Sequence, residues 1–175
     1  MISKLKKNLI LTGMMGVGKT TIGKKLAGKL DYKFIDIDKK IEQKEQSTIS
    51  NIFKVHGEIY FRKIENKITL TEIKRDKSVI SLGGGSFINP KIRNEIKLNT
   101  LSFWLDVDIN LLASRVARSK KRPLLINKNI KETMKKIYLM RKRSYSEAHF
   151  KINCNSLTID KIVNKILSLY ESTAD

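Results

Sequence analysis

The stretch Asn8 to Thr21, NLILTGMMGVGKTT, constrains this chain more than any other. Leu9-Ile10-Leu11 is an apolar run that reads as a buried strand. It breaks at Gly13, and Gly13 through Thr20 matches G-x-x-x-x-G-K-Ser/Thr, the phosphate-binding P-loop pattern. Glycines let the backbone wrap tightly enough for its N–H groups to converge on phosphate oxygens. The following helix, marked by Ile22, Leu26 and Leu30, presents its positive end to the same anion. Backbone from Gly13, Met14, Gly16, Val17, Gly18 and Thr21 would form the cradle. Lys19 supplies a charge for the outer phosphates, and Thr20 offers a hydroxyl to Mg²⁺.

With 175 residues, the length fits one domain, 1–175. No apolar run reaches the roughly 18–20 residues of a membrane span. The basic segment Met1 to Lys7 leads straight into the P-loop strand, which argues against a cleavable signal peptide. A single cysteine, Cys154, excludes an intrachain disulfide framework and suits a reducing cytoplasm. The net charge of +19 permits nucleic-acid binding as a reading. Lysine supplies 28 of the 36 basic residues, however, and these are scattered along the chain. Compositional bias is the better account, with some gain in attracting anionic substrates.

Strand and helix patterns alternate, which predicts an α/β fold with a parallel sheet flanked by helices. Ligands of such sheets bind beyond the carboxyl ends of the strands. Lys33 to Asp38 reads as the second strand. Asp36 and Asp38, two apart on extended chain, would point to the same side near the phosphates. One could support Mg²⁺ and the other a substrate hydroxyl; both could also be ordinary solvated acids. Ile41 to Arg75 reads as mainly helical, with breaks near Ser47 and Gly57. Glu58, Arg62 and Glu65 share one helix face, as a fixed arginine or as a surface ion-pair ladder of little value.

Ser78 to Leu82 is a third predicted strand, running into Gly83-Gly84-Gly85, which permits close approach to a ligand. No acid ends this strand, so a metal-supporting carboxylate must come from elsewhere, which favours Asp36. Leu101 to Leu105 is a fourth strand, with Trp104 in the core. A helix near 109–118 carries Arg115. Residues 119–128 include Arg122-Pro123-Leu124-Leu125 and read as a lid over phosphates. Arg141 lies on a later helix. Phe150 to Ile152 is a fifth strand, Asn155 lies in the next loop, and Leu157 to Tyr170 forms a closing helix.

Together these pieces resemble the shikimate kinase family of the nucleoside-monophosphate-kinase-like P-loop fold. The resemblance rests on GMMGVGKTTIGKKLA, FIDID, GEIYFRKIE, VISLGGG, RPLL and RKRSYSEA. It implies a three-layer fold with a five-stranded parallel sheet, a helical substrate-binding segment at about 33–62 and a lid. It implies transfer of phosphate from ATP, with Mg²⁺, to the 3-hydroxyl of shikimate. Lys19, Asp38 and Arg122 would be catalytic. Asp38, Arg62, Gly83, Gly84, Gly85 and Arg141 would hold shikimate, with Glu65 orienting Arg62. Arg115 and Asn155 would flank adenine, Arg122 would meet the transferring phosphate, and Thr20 and Asp36 would organise Mg²⁺. The expected state is a cytoplasmic monomer without nucleic-acid or membrane partners. Two departures stand out. Lys142-Arg143-Ser144 replaces a stretch in which the family usually has proline, making Arg143 a rival to Arg141, and the surroundings of Asn155 match loosely. Other small P-loop kinases, for gluconate or nucleotides, are the alternative enzymes, and a kinase-like nucleic-acid-binding module is the non-enzyme alternative.

Overall fold

The computed structural model describes residues 7–117 and 129–173. Its centre is β1, Asn8–Thr12, with all five residues buried. Leu9, Ile10 and Leu11 are apolar on both faces, as a strand covered on both sides requires. Around it runs a five-stranded parallel sheet. The other strands are β2 (Lys33–Asp36), β3 (Ser78–Ser81), β4 (Thr100–Asp106) and β5 (Phe150–Asn153), in the order β2-β3-β1-β4-β5. Leu9 pairs with Val79 on one side and with Leu101 on the other.

The order dictates where ligands go. Parallel crossovers are right-handed, so a reversal of travel across the sheet moves the connection to the opposite face. The chain travels one way from β1 to β2 through α1 (Lys19–Leu30), and then turns back toward β3 and β4. Its return uses α2 (Ile37–Glu45), α3 (Ile49–Ile73) and α4 (Pro90–Asn99). α5 (Ile109–Ala117) and α6 (Ile130–Tyr145) follow β4, and α7 (Ile159–Ser172) comes back to pack on α1. Between the carboxyl ends of β1 and β3 the connections therefore leave in opposite directions, and a crevice opens there.

Two predicted boundaries need correction. The second strand does not run to Asp38, because α2 begins at Ile37. Asp36 stays extended (φ −106°, ψ 113°), and its carboxylate accepts the Lys39 N–H at 3.3 Å as an N-cap. Asp38 falls in the first helical turn, where an acid suits the helix dipole. The two carboxylates therefore do not share a strand face. The third strand also stops at Ser81, one residue early. The break near Ser47 is present: Gln46 adopts φ 48° and Thr48 caps α3 through Asn51 N–H. At Gly57, φ 78° and ψ 176° put a kink inside α3, a conformation that side chains resist. Trp104 is buried, as expected. Among the described residues, no helix is long and apolar enough to cross a membrane.

The ladder between β4 and β5 begins with a side chain. Ser102 N–H donates to His149 Nδ1 at 3.1 Å, just before the Phe103–Phe150 pair. That nitrogen must be unprotonated to accept. Burial lowers the imidazole pKa, and the charges of Lys7 and Lys97 act in the same direction, against a backbone hydrogen bond at Lys97. A folded-state pKa below the ordinary 6.5 means the contribution is present above 6.5 and is lost as pH falls below it. His149→Gln keeps an acceptor that does not titrate. The thermal midpoint of the parent should therefore fall relative to this variant between about pH 7.5 and 5, whereas parallel curves would place that proton elsewhere.

Candidate active site

The crevice is floored by the loop that leaves β1. Gly18, at φ 97°, is the N-cap of α1 and offers no side-chain oxygen to the first turn. The early N–H groups are thus directed at whatever anion enters the loop. Met14 and Val17 turn their side chains into the core, so only their backbone can face a phosphate, while Thr21 is exposed. Lys19 folds over the loop, with Nζ donating to the carbonyls of Gly13 at 2.9 Å and Met14 at 3.0 Å. Thr20 Oγ1 donates to Asp36 Oδ2 at 2.8 Å. This pair brings together the hydroxyl and the carboxylate expected to serve Mg²⁺.

The wall opposite is the glycine run after β3, tied to β1 by Leu82 N–H donating to Leu11 O at 3.0 Å. Each glycine leaves room for one charged group. A Cβ on Gly83 would lie 2.6 Å from Asp38 Oδ1, and one on Gly84 would lie 3.0 Å from Arg141 Nη1. On Gly85 it would lie 2.5 Å from Arg62 Nη1. The distances at Gly83 and Gly85 are shorter than real Cβ contacts, and the one at Gly84 is tight enough to press on the arginine. Asp38, Arg141 and Arg62 are therefore ranged along three successive residues, although they come from three different helices. The Gly84 Cβ position is also 3.8 Å from Met15 N, so a side chain on the wall would fill the gap to the phosphate loop.

Each group is held. Arg62 Nη1 donates to Glu65 Oε2 at 2.7 Å, and its Nε and Nη2 donate to Glu58 Oε1 at 3.2 and 3.1 Å. Glu65 is only 1% exposed, so this is no surface ladder. Arg141, 9% exposed, donates Nη1 to Gly84 O at 2.8 Å. Tyr145, one turn on, donates its hydroxyl to the same oxygen at 2.5 Å. Arg143 points to solvent, which favours Arg141 as the second arginine of the pocket. Asp38 differs electrically from the others. Burial pushes its carboxyl up to about 6; Lys19 pulls against this, while Asp36, Glu65 and Glu42 push further upward. A carboxyl titrating near neutrality beside a phosphate loop is suited to accepting a proton from a hydroxyl.

The expected adenine side is only partly assembled. A Cβ on Gly16 would lie 2.9 Å from Val116 Cγ2, so the last turn of α5, with exposed Arg115, stands beside the loop. Asn155 Oδ1 instead accepts the Asp108 N–H at 2.6 Å, tying its loop to the start of α5. Arg122 and the expected lid at 119–128 lie outside the described residues. The sequence reading missed two participants, Tyr145 and Ser86. Both stood next to residues already singled out: Tyr145 is four after Arg141, and Ser86 directly follows the glycines.

Known proteins resemble this chain in both sequence and fold. The shikimate kinase family model matches residues 15–171. A shikimate kinase of Sulfurihydrogenibium sp. is 42% identical over 162 residues, spanning 93% of this chain and 96% of its own. One of Bartonella quintana is 45% identical over 148 residues, 85% of this chain and 70% of that one. The solved shikimate kinase from Acinetobacter baumannii, in complex with shikimate, superposes with a TM-score of 0.92 at 33% identity, covering 97% and 96% of the two chains. A gluconokinase from Sinorhizobium meliloti, at 15% identity and a TM-score of 0.58, shares the fold alone. The phosphate loop, the glycine wall and the near-complete match in sequence and structure lead to one assignment: the chain belongs to the shikimate kinase family.

Proposed function

We propose that this site transfers the terminal phosphoryl group of ATP to the 3-hydroxyl of shikimate, the activity of the family to which the chain belongs. The observation that carries the reading is the row Asp38, Arg141, Arg62 over Gly83, Gly84 and Gly85. Two planar guanidinium groups on adjacent glycines suit a carboxylate, which they can grip in bidentate fashion. A proton-accepting carboxyl one residue away suits a ring hydroxyl. Shikimate as the acceptor is supported further by its presence in the Acinetobacter baumannii relative.

The loop amides and Lys19 would hold the phosphates and take up charge as the transfer proceeds. Asp38 would align the acceptor hydroxyl and receive its proton. Thr20 and Asp36 fit Mg²⁺: one hydroxyl and one carboxylate, 2.8 Å apart beside the loop, leave an ion free to keep waters and phosphate oxygens. Bound there, Mg²⁺ would neutralise charge on the phosphates. Arg122 is assigned to the transferring phosphate, and Arg115 and Asn155 to adenine, on sequence grounds. The same reading keeps the protein a cytoplasmic monomer without nucleic-acid or membrane partners.

The direct test is ADP release with shikimate beside gluconate, quinate and nucleoside monophosphates. Turnover confined to shikimate is expected, and a clear preference for another acceptor would overturn the assignment. Arg62→Ala and Arg141→Ala should each weaken shikimate binding about 10–150-fold, because a hydrogen bond to a charged group is worth roughly 1.5–3 kcal/mol. ATP binding should hold steady in both. A loss of ATP affinity in its place would remove the carboxylate clamp from the mechanism.

A further inference from the structure

Three oxygens meet at the bare face of Gly83. A Cβ there would lie 2.6 Å from Asp38 Oδ1, 2.7 Å from Glu65 Oε1 and 3.3 Å from Ser86 Oγ. Two of them belong to carboxylates and repel one another, and burial of Glu65 sharpens that repulsion. One hydroxyl proton is available in this group, and it goes to Glu65: Ser86 Oγ donates to Glu65 Oε1 at 2.6 Å. Ser86 is itself 1% exposed, in the short 3-10 turn Ser86–Ile88, so no water competes for its hydroxyl from solvent. The other oxygen of Glu65 is taken by Arg62.

We propose that Ser86 is a positioning residue for phosphoryl transfer: its hydroxyl fixes Glu65 Oε1, so that Glu65 holds Arg62 toward the acceptor carboxylate and leaves Asp38 to the acceptor hydroxyl. This rests on the shikimate reading above, and it adds a residue that touches neither substrate. Without the serine hydroxyl, Glu65 Oε1 has no donor within the group around Gly83. Across the bare face of Gly83 lies the Asp38 carboxylate, which can only push it away. Arg62 would then lose its fixed anchor.

The test compares Ser86→Ala and Ser86→Cys with the parent protein. Cysteine nearly conserves the volume but donates weakly. For Ser86→Ala the KM for shikimate should rise about 10-fold, the scale of one lost charged hydrogen bond, with the KM for ATP unchanged. Ser86→Cys should lie nearer to Ser86→Ala than to the parent, whereas a packing cavity alone would place it nearer to the parent. Nitrogen-15 NMR relaxation of Arg62 Nε, without any substrate, should show a freer side chain in Ser86→Ala than in the parent. Unchanged kinetics and Arg62 mobility in Ser86→Ala, or an equal rise in both KM values, would overturn the proposal. A parent protein that does not turn over shikimate would count against the acceptor assignment alone, since the substrate-free mobility of Arg62 still decides the role of Ser86.

Discussion

Replacing Asp38 with asparagine should cut turnover by about 10²–10⁴-fold, the range of a lost general base, and should at the same time make the protein harder to unfold at neutral pH. Both effects come from one cause. The Asp38 carboxyl is pushed from 3.8 to about 6 by burial among other acids. A folded-state pKa above the unfolded one means the associated stability is fully present below 3.8 and is lost as pH rises through 6. At about pH 7.5 the ionised carboxylate is therefore a burden on the fold, on the order of 3 kcal/mol. An asparagine in its place would carry no charge and would lift that burden. Activity has the opposite requirement, because the base must be ionised, so the parent kcat/KM should fall below about pH 6. The measurement is a pH profile of activity and thermal midpoint for both proteins. Turnover near normal, or a midpoint for the variant that drops below the parent's at neutral pH, would contradict this account.

Lys19→Ala should lower turnover about 10²–10³-fold, comparable to removing one preorganised donor from a charged transition state. Lys19 Nζ rests on the Gly13 and Met14 carbonyls, within the loop. It thus needs little rearrangement to reach a bound phosphate. Losing those two bonds costs the fold roughly 1.5–3 kcal/mol each at most, and the buried faces of β1 and α1 do not depend on the lysine. The variant should therefore stay folded by circular dichroism while ADP release collapses. Lys19 also pulls the Asp38 pKa downward, so the residual activity should show its acid limb at higher pH than the parent. A folded variant with near-normal rates would remove Lys19 from the chemistry.

The sequence made the phosphate half of the site readable, because a P-loop compresses strand, turn and helix start into a few consecutive residues. The five strands were readable too, as short, largely apolar runs between helical stretches. The end of the second strand was not. Phe34 to Asp38 alternates as a strand should, but the capping bond from Asp36 to Lys39 N–H outweighs the alternation and starts a helix at Ile37. α4 lies outside the predicted elements, although Asn89-Pro90 is a helix-start signal and Ile92 and Ile96 supply its buried face. The acceptor half was readable only as separate motifs. Spacing showed that Glu58, Arg62 and Glu65 could meet, and either a surface ladder or a fixed arginine fitted it. Only tertiary contact, with Glu65 buried against Ser86, decides between them. Arg141 and Arg143 are likewise indistinguishable by charge, and the turn of α6 separates them.

The strand order bears on how the two halves of the site respond to ligands. β1 has a hydrogen-bonded neighbour on both sides, whereas β2 lies at the sheet edge with one. The phosphate loop therefore springs from the part of the molecule that opens only when everything does. Asp38 and Arg62 sit on the helical excursion that leaves the edge strand, interrupted at Gly57, and can part from the glycine wall at a smaller free energy. The phosphates of a nucleotide thus meet a loop already built, and little ordering of that loop is needed to bind them. The acceptor must in addition hold its own half of the pocket together, so part of its interaction energy goes into drawing that excursion against the sheet.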